Sequence, residues 1–182
     1  DGTTVLKAEL NRRLKDKKEV EAFLESCKNA SFTIDDITTK PVKKSPAPPF
    51  TTSTLQQEAA RKLGYSVSQT MMIAQRLYES GLITYMRTDS VNLSDLALGT
   101  AKEAIRPTYI SNVEAGSSSQ EKKLYELIRK RTIACQMADA ELERTTISVG
   151  ISGQTERFVA VGEVISFEGF LQAYMESNDD EV

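Results

Sequence analysis

The sequence predicts an α+β fold in which a helical unit interrupts a β-rich one. Segments rich in β-branched residues lie near both ends of the 182-residue chain, and apolar residues at helical spacing fill its middle. A short stretch that holds four of the five prolines separates the first β-rich segment from the helices. These observations place the boundaries at residues 1–45, 46–139 and 140–182.

The first segment is predicted to contain a strand, a helix and a second strand. Asp16 followed by Glu19 resembles a capping box, and the apolar residues after it repeat at helical spacing as far as Cys27, which indicates a helix over about residues 17–28. Residues 31–40 are rich in Thr and Ile and alternate apolar with polar side chains, which is typical of a strand.

Residues 40–49 contain the clustered prolines. Proline fixes φ and removes a backbone donor, so this stretch is not expected to form a helix or a central strand. We interpret it as a stiff connector between structural units; a docking motif for a proline-reading module is the alternative.

The middle of the chain is predicted to be helical, with sharply marked helix ends. A Thr/Ser-rich cap at 51–54 starts one helix, which Gly64 ends, and a second helix over about 68–80 ends at Gly81. Residues 82–87 are β-rich and predict a strand. Two helices joined by a short turn and followed by a strand form the outline of a winged helix-turn-helix.

Two further helices are predicted before the chain becomes β-rich again. The first begins near Asn92 or Ser94 and ends before Pro107, and the second covers about residues 119–138.

The C-terminal part is predicted to form a β-hairpin. Its strands lie at 145–151 and 158–165, on either side of a turn at 152–154. Residues 167–171 are predicted to begin another strand, and the acidic tail at 178–182 is predicted to fray.

The composition excludes several classes of active site. The chain has 23 basic and 26 acidic residues, a net charge of −3 and no histidine. Without histidine it cannot by itself supply a Ser-His-Asp triad, a Cys-His dyad or a His-rich zinc site. Its apolar runs are too short for a membrane span. Cys27 and Cys135 are interpreted as buried thiols of a cytosolic protein, with a disulfide as the alternative.

Charge is distributed unevenly along the chain. Residues 40–90 carry a net charge of +4, whereas residues 1–39 carry −1 and residues 91–182 carry −6. A basic region in an acidic chain is compatible with a local anionic partner such as nucleic acid. The chain begins with Asp-Gly-Thr-Thr, without an initiator methionine or a signal peptide, so we expect it to be an excised piece of a longer protein.

One short run carries residues that are suited to chemistry. In the predicted strand, Tyr85 and Arg87 point to one face, and Thr84 and Met86 point to the other. A phenol ionises only near about pH 10, and a neighbouring guanidinium favours the phenolate and binds phosphate through its forked donors. The pair therefore suits attack on a phosphodiester with a phosphotyrosine intermediate. Spacing alone favours a simpler interpretation, two solvent-facing residues without a catalytic role.

The surrounding sequence resembles type IA DNA topoisomerases, in particular the bacterial topoisomerase I form. The run Gly81–Ser90 resembles the active-site signature of this family, and the resemblance extends over about residues 5–175. Met86 after the tyrosine is typical of topoisomerase I, whereas topoisomerase III relatives usually have proline there. The other segments that carry the resemblance are Pro48–Gln57, Thr70–Glu79, Glu103–Pro107 and Ala134–Met137.

The resemblance implies a role for each residue of the signature. Tyr85 would be the nucleophile that keeps the 5′-phosphate of a broken DNA strand, and Arg87 would stabilise that phosphate. The family relaxes negatively supercoiled DNA by passing a strand through the break, and it needs no ATP because the phosphotyrosine bond retains the energy of the broken bond. Positions that would line the active site are Gln75, Glu79, Thr84 and Thr88.

The resemblance also implies an architecture. Residues 46–139 would be a helical, winged-helix-like gate domain that carries the tyrosine, inserted between two β-rich arch segments at 1–45 and 140–182. The expected partners are single-stranded and negatively supercoiled DNA and the remaining domains of the parent chain, in the cytoplasm and at the nucleoid, with no membrane.

The family binds Mg²⁺ through acidic residues of a separate domain. This chain has no Asp-x-Asp pair, and we interpret Asp35-Asp36 and Asp179-Asp180 as solvated surface. We therefore expect no metal site here, with Mg²⁺ bound only in the full-length enzyme. The chain is then the central portion of a larger enzyme, and by itself it is expected neither to cleave nor to relax DNA.

The chain departs from the family pattern in one region. The family carries a histidine before the segment that begins at Glu103, and this chain has Lys102 at that position. The stretch from Ser94 to Ile105 is also short, as though a helix and a loop had been removed.

Basic residues are predicted to contact DNA, and they also suggest an alternative to a catalytic function. A winged-helix module that binds DNA phosphates without catalysis would use Arg61, Lys62 and Arg76. A structural α+β domain without a nucleic-acid partner is the third interpretation. The residues predicted to bind DNA are Arg61, Lys62, Arg76 and Arg106.

Overall fold

The computed structural model describes residues 5–93 and 103–175 of the chain, which form a mixed α and β protein, as predicted. The described residues form two compact units. The β-rich unit comprises the part of the chain that ends at Lys44 together with Glu141–Phe167. The helical unit comprises Ser45–Ala140 together with the segment that begins at Glu168.

The β-rich unit is built on one four-stranded sheet. Its strands lie in the order β1-β4-β3-β2, and β4 pairs antiparallel with both β1 and β3. The β3–β4 pair is the predicted hairpin, with Thr146 opposite Val161 and an irregularity between Glu141 and Leu142. The strands are β1 (Glu9–Leu10), β2 (Phe32–Lys44), β3 (Ala140–Ile151) and β4 (Arg157–Phe167).

Helix α1 (Lys17–Cys27) lies in the β-rich unit, close to its predicted bounds. The Asp16 side chain accepts a hydrogen bond from the backbone N–H of Glu19 at 2.9 Å, so the predicted cap is formed. Phe23 packs edge-on against Phe158 of β4, with ring centroids 6.2 Å apart. The apolar face predicted for this helix therefore contacts the sheet.

Strand β2 continues through the first of the clustered prolines. We interpreted residues 40–49 as a connector, but β2 includes Pro41 and ends at Lys44. It is an edge strand, and an edge strand tolerates the missing N–H of proline when that position faces away from the neighbouring strand. The connector is thus limited to the residues after Lys44.

The described part of the helical unit contains three α-helices: α2 (Thr52–Leu63), α3 (Val67–Glu79) and α4 (Ser119–Ala134). Each begins after a Ser or Thr residue. The side-chain oxygen of that residue accepts a hydrogen bond from a backbone N–H of the first turn, which has no partner within the helix. Gly64 ends α2 in the left-handed conformation with φ of 68°, as predicted. The caps are Thr51, Ser66 and Ser118.

The core of the helical unit lies where α2, α3 and α4 meet. It is made of fully buried aliphatic and aromatic side chains, so the three helices are held together by the burial of apolar surface. The largest of these side chains are Phe50, Leu55, Ile73, Leu77, Leu124, Tyr125 and Ile128.

Several predicted elements are wrong. Residues 82–87 do not form a strand; Ile83 makes a single bridge to Pro107. Helix α4 ends at Ala134 rather than near residue 138. Of the helix predicted to end before Pro107, residues 94–102 lie outside the described residues, and residues 103–106 are not helical, with Ile105 bridged to Phe50. The structure therefore does not confirm the winged-helix outline.

The segment after β4 also differs from its prediction. Residues 167–171 were expected to begin a strand, but Gly169–Gln172 forms a 3-10 helix. Gly169 has φ of 51°, and a Cβ at this position would lie 2.5 Å from the Ala138 carbonyl oxygen, so only glycine fits this approach. The described residues from Glu168 onward group with the helical unit, whereas the sequence analysis placed them in the β-rich segment 140–182.

Both cysteines are half-buried and free. They are therefore thiols, as predicted, but half-buried rather than buried. None of the helices in residues 5–93 and 103–175 has the length and apolar composition that a membrane crossing requires.

Candidate active site

The predicted signature forms an irregular loop directly after α3. Gly81 turns the chain with φ of 70°, a conformation that glycine adopts at little cost. Tyr85 is 51% exposed and Arg87 is also exposed, whereas Met86 between them is 1% exposed. Met86 thus anchors the loop in the core of the helical unit, and the phenol and the guanidinium on either side of it are accessible.

The first half of this loop is hydrogen-bonded to the segment just before Pro107. The Thr84 hydroxyl donates to the Ala104 carbonyl at 2.7 Å and accepts from the Arg106 N–H at 3.0 Å. The Thr84 N–H donates to the Arg106 carbonyl at 2.9 Å. Thr84, predicted to line the active site, therefore uses its hydroxyl to hold the backbone just before Tyr85.

The second half of the loop is tied to the first turn of α2. The Thr52 hydroxyl donates to the Met86 carbonyl at 2.9 Å and accepts from the Thr88 N–H at 2.8 Å. The Thr52 N–H donates to the Thr88 carbonyl at 2.9 Å. Arg87 lies between these contacts and lines an open cleft of about 500 Å³. The other residues that line the cleft are Thr51, Thr52, Ser53, Thr88 and Asp89.

A second aromatic side chain lies beside Tyr85. The ring of Tyr78, near the end of α3, packs against the ring of Tyr85 with centroids 5.2 Å apart and planes at 67°. Tyr78 is 40% exposed. The sequence did not predict this contact, because it is the fold of the loop that brings the two rings together.

Gln75 and Glu79, also predicted to line the site, contact each other on α3. The Gln75 amide donates to the Glu79 carboxylate at 2.7 Å. Among the described residues, no hydrogen bond joins either of them to Tyr85. The structure therefore places them on the helix that leads into the loop, and their role at the site stays a prediction.

The four predicted DNA-binding residues lie on three different segments: Arg61 and Lys62 on α2, Arg76 on α3, and Arg106 before Pro107. Arg61 is 3.6 Å from Glu58, and the Lys62 ammonium donates to the Met175 carbonyl and lies 5.0 Å from the centre of the Tyr174 ring. Arg61 and Lys62 therefore have partners at the far end of α2.

Arg76 and Arg106 have different surroundings. Arg76 is 4.0 Å from Glu121 and 55% exposed in its side chain. Arg106 donates twice to one carboxylate oxygen of Glu103, at 2.9 and 2.8 Å, and also to the Pro107 carbonyl. Arg106 thus stabilises the segment to which Thr84 is tied, and DNA contact by these four residues stays a prediction.

The donor groups do not fit a metal site. In residues 5–93 and 103–175, no three carboxylate, thiol or imidazole groups lie close enough together to hold an ion. Asp35 is engaged by Arg157 at 2.8 Å, as expected of a surface carboxylate.

The chain matches a family of known enzymes along its whole length. A family profile described as DNA topoisomerase matches residues 1–103 and 96–182. The chain is 44% identical to DNA topoisomerase 1 of Zymomonas mobilis over 91% of its length, and 39% identical to DNA topoisomerase 1 of Streptomyces coelicolor over 91%. It spans only 16% and 21% of those two proteins.

A solved structure supports the same relationship. The full-length topoisomerase I of Thermotoga maritima superposes with a TM-score of 0.77 and 35% sequence identity, over 96% of this chain and 35% of that one.

The alignments with these two relatives contain gaps in this chain, because they run over 195 and 201 positions although they include only 91% of its 182 residues. The two profile matches overlap at residues 96–103, within the stretch that is short in the sequence. By profile, sequence identity and superposition, the chain belongs to the bacterial type IA DNA topoisomerase I family.

Proposed function

We propose that this chain is the strand-cleaving segment of a DNA topoisomerase, with Tyr85 as the nucleophile. The Tyr85 oxygen attacks a backbone phosphorus, the bond from phosphorus to the 3′-oxygen breaks, and the phenol proton is released as the 3′-hydroxyl takes one up. The 5′-phosphate stays on Tyr85. Resealing is the reverse reaction, so no ATP is consumed.

This proposal is supported above all by two exposed groups, the Tyr85 phenol and the Arg87 guanidinium, on a loop whose backbone is held by hydrogen bonds. Tyr85 and Arg87 are exposed, and the backbone on both sides of Tyr85 is held by threonine hydroxyls. A guanidinium presents forked donors to phosphate oxygens, and a fixed backbone reduces the cost of aligning nucleophile and phosphate. Arg87 would then stabilise the charge that develops on the phosphate during attack and resealing.

The division into two units suits strand passage. The helical unit would be the gate that carries Tyr85 away while a second strand passes, and the β-rich unit would be part of the arch that joins this gate to the rest of the enzyme. In this way the full-length protein would relax negatively supercoiled DNA.

The chain spans about a fifth of the relatives it matches, and we propose that it is inactive alone. The Mg²⁺ that the family uses would be held by another domain of the full-length protein. Single-stranded and negatively supercoiled DNA and those other domains would be its partners, in the cytoplasm at the nucleoid.

Transfer of a label tests the chemistry. The full-length protein is incubated with a single-stranded oligonucleotide labelled at its 3′ end, because cleavage that keeps the 5′-phosphate leaves the label on the protein. The wild type is expected to form a labelled adduct and Tyr85→Phe to form none. An adduct that persists in Tyr85→Phe would show that another residue is the nucleophile.

The isolated chain tests the claim of inactivity. It is expected to yield no adduct under the same conditions. A Tyr85-dependent adduct on the 182-residue chain would refute that claim and leave the assignment of Tyr85 intact.

A non-catalytic DNA-binding module remains the alternative, since Arg61, Lys62 and Arg76 are exposed on α2 and α3. Salt-dependent oligonucleotide binding by the full-length protein, with no adduct and no effect of Tyr85→Phe, would favour it. An absence of binding even at low salt would favour a structural domain.

A further inference from the structure

Thr52 contacts the loop 86–88 with both its hydroxyl group and its backbone N–H. Its hydroxyl donates to the Met86 carbonyl at 2.9 Å, has the Thr88 carbonyl as a second acceptor at 3.1 Å and accepts from the Thr88 N–H, while its own N–H donates to the Thr88 carbonyl. A hydroxyl has one proton and two lone pairs, so a single side chain can make both contacts. Thr52 and Thr88 are both half-buried, which limits replacement of these bonds by water.

The position of Thr52 in α2 makes this contact stiff. Thr52 is the first residue of the helix, where backbone N–H groups have no helical partner. The loop supplies that partner through the Thr88 carbonyl, so the loop and the helix terminus satisfy each other. The helix is itself held in the core by the buried side chain of Leu55.

We propose that Thr52 is a positioning residue for strand cleavage, which fixes Arg87 and the carboxyl side of Tyr85 through the backbone of Met86 and Thr88. This inference rests on the proposed function and deepens it. Thr84 holds the backbone before Tyr85, so the phenol and the guanidinium lie between two clamps. Release of the Thr52 clamp would leave Arg87 and Tyr85 present but free to move relative to each other.

Three variants separate positioning from stability. Thr52→Val keeps the branched shape and removes the hydroxyl; Thr52→Ser keeps the hydroxyl. Thr54→Val is the matched control, because it removes a hydroxyl from the same helical turn that caps the backbone of Thr51 and does not touch the loop. Both valine variants lose local hydrogen bonds, but only one loosens the loop.

In the full-length protein, single-turnover adduct formation is expected to fall about ten- to a hundredfold in Thr52→Val, because two hydrogen bonds are lost. Thr52→Ser and Thr54→Val are expected to stay close to the wild type, and oligonucleotide affinity is expected to be unchanged in all three. The inference is overturned if Thr52→Val cleaves as well as Thr54→Val does, or if Thr52→Ser cleaves as poorly as Thr52→Val. It is also overturned if Thr52→Val unfolds where Thr54→Val does not.

Amide hydrogen exchange in the 182-residue chain gives a readout that does not depend on activity. Exchange at Thr88 is expected to accelerate in Thr52→Val and to be restored in Thr52→Ser, while exchange within α4 stays the same. Unchanged exchange at Thr88 would show that the clamp does not hold the loop. If instead Tyr85→Phe retains adduct formation, the proposed function fails and the exchange result still decides whether Thr52 fixes the loop.

Discussion

The ring of Tyr78 packs edge-on against the ring of Tyr85, with centroids 5.2 Å apart and planes at 67°. Edge-to-face pairs of this kind contribute about 0.5 to 1.5 kcal/mol beyond the area they bury. The contact restricts the phenol that we propose as the nucleophile, and it comes from a residue that precedes Tyr85 by only seven positions.

Truncation of Tyr78 is therefore expected to slow cleavage. Tyr78→Ala should lower single-turnover adduct formation by the full-length protein about two- to tenfold, because the lost ring contact lets the Tyr85 ring rotate. Tyr78→Phe keeps the ring and should cleave like the wild type. Tyr109→Ala, at a tyrosine that is 66% exposed, is the control. Equal rates in Tyr78→Ala and Tyr109→Ala would contradict a role for the ring contact.

Strand cleavage should depend on the paired N–H donors of the Arg87 guanidinium more than on its positive charge. Arg87→Lys keeps the positive charge but cannot present two parallel donors to one phosphate, so we expect adduct formation to fall about a hundredfold while oligonucleotide binding is retained. Binding is followed by fluorescence anisotropy and cleavage by adduct yield. Full activity of Arg87→Lys would show that a point charge suffices at this position.

The buried pair of Glu58 and Tyr174 should stabilise the helical unit. The Tyr174 hydroxyl donates to the Glu58 carboxylate at 2.7 Å, and Glu58 is 2% exposed. Tyr174→Phe keeps the ring but removes the hydroxyl, so the buried Glu58 carboxylate oxygen loses its hydrogen-bond donor. The free energy of unfolding in urea should therefore fall by about 1.5 to 3 kcal/mol. Tyr109→Phe, on the surface, should change it little. A loss no larger than that of the control would argue against the pair.

Tyr125 should make the chain sensitive to alkali. Burial raises the pKa of Tyr125, and the charge of Arg129 opposes this only in part. The hydroxyl donates to the Asn112 carbonyl at 2.9 Å, which requires the proton. Since the folded-state pKa lies above the unfolded one, the stabilisation is complete below about pH 10 and is lost as the pH rises through the folded pKa.

The titration of Tyr125 can be isolated by difference. Phenolate absorbance of the wild type minus that of Tyr125→Phe should show a midpoint above about pH 10, and Tyr125→Phe should lose less stability between neutral and alkaline pH. A midpoint at or below the ordinary phenol value would contradict the effect of burial.

Elements whose signals are local were predicted well. Asp16 and Thr51 mark helix starts because a cap bonds to an N–H only three residues away, and Gly64 marks an end because few other residues adopt its backbone angles. The hairpin of β3 and β4 was also found, since its two strands are joined by a short turn.

The failures concern segments whose partners are distant in the sequence. Residues 82–87 have strand-like composition, but a strand needs a neighbour, and the residues opposite are a short segment that includes Pro107, which lacks an N–H. Residues 167–171 failed for a similar reason. Gly169 approaches the Ala138 carbonyl, and a contact across 31 positions leaves no local pattern.

The sequence by itself indicated the class of fold and, through its resemblance to a known family, the roles that we propose for Tyr85 and Arg87, because these depend on residue type and local order. Only the tertiary structure decided how the two residues are held. Thr52 and Thr84 reach the loop by hydrogen bonds to backbone groups, and Tyr78 reaches it by ring packing. A backbone carbonyl or N–H is the same at every residue other than proline, so no side-chain pattern could reveal which of them a threonine would find.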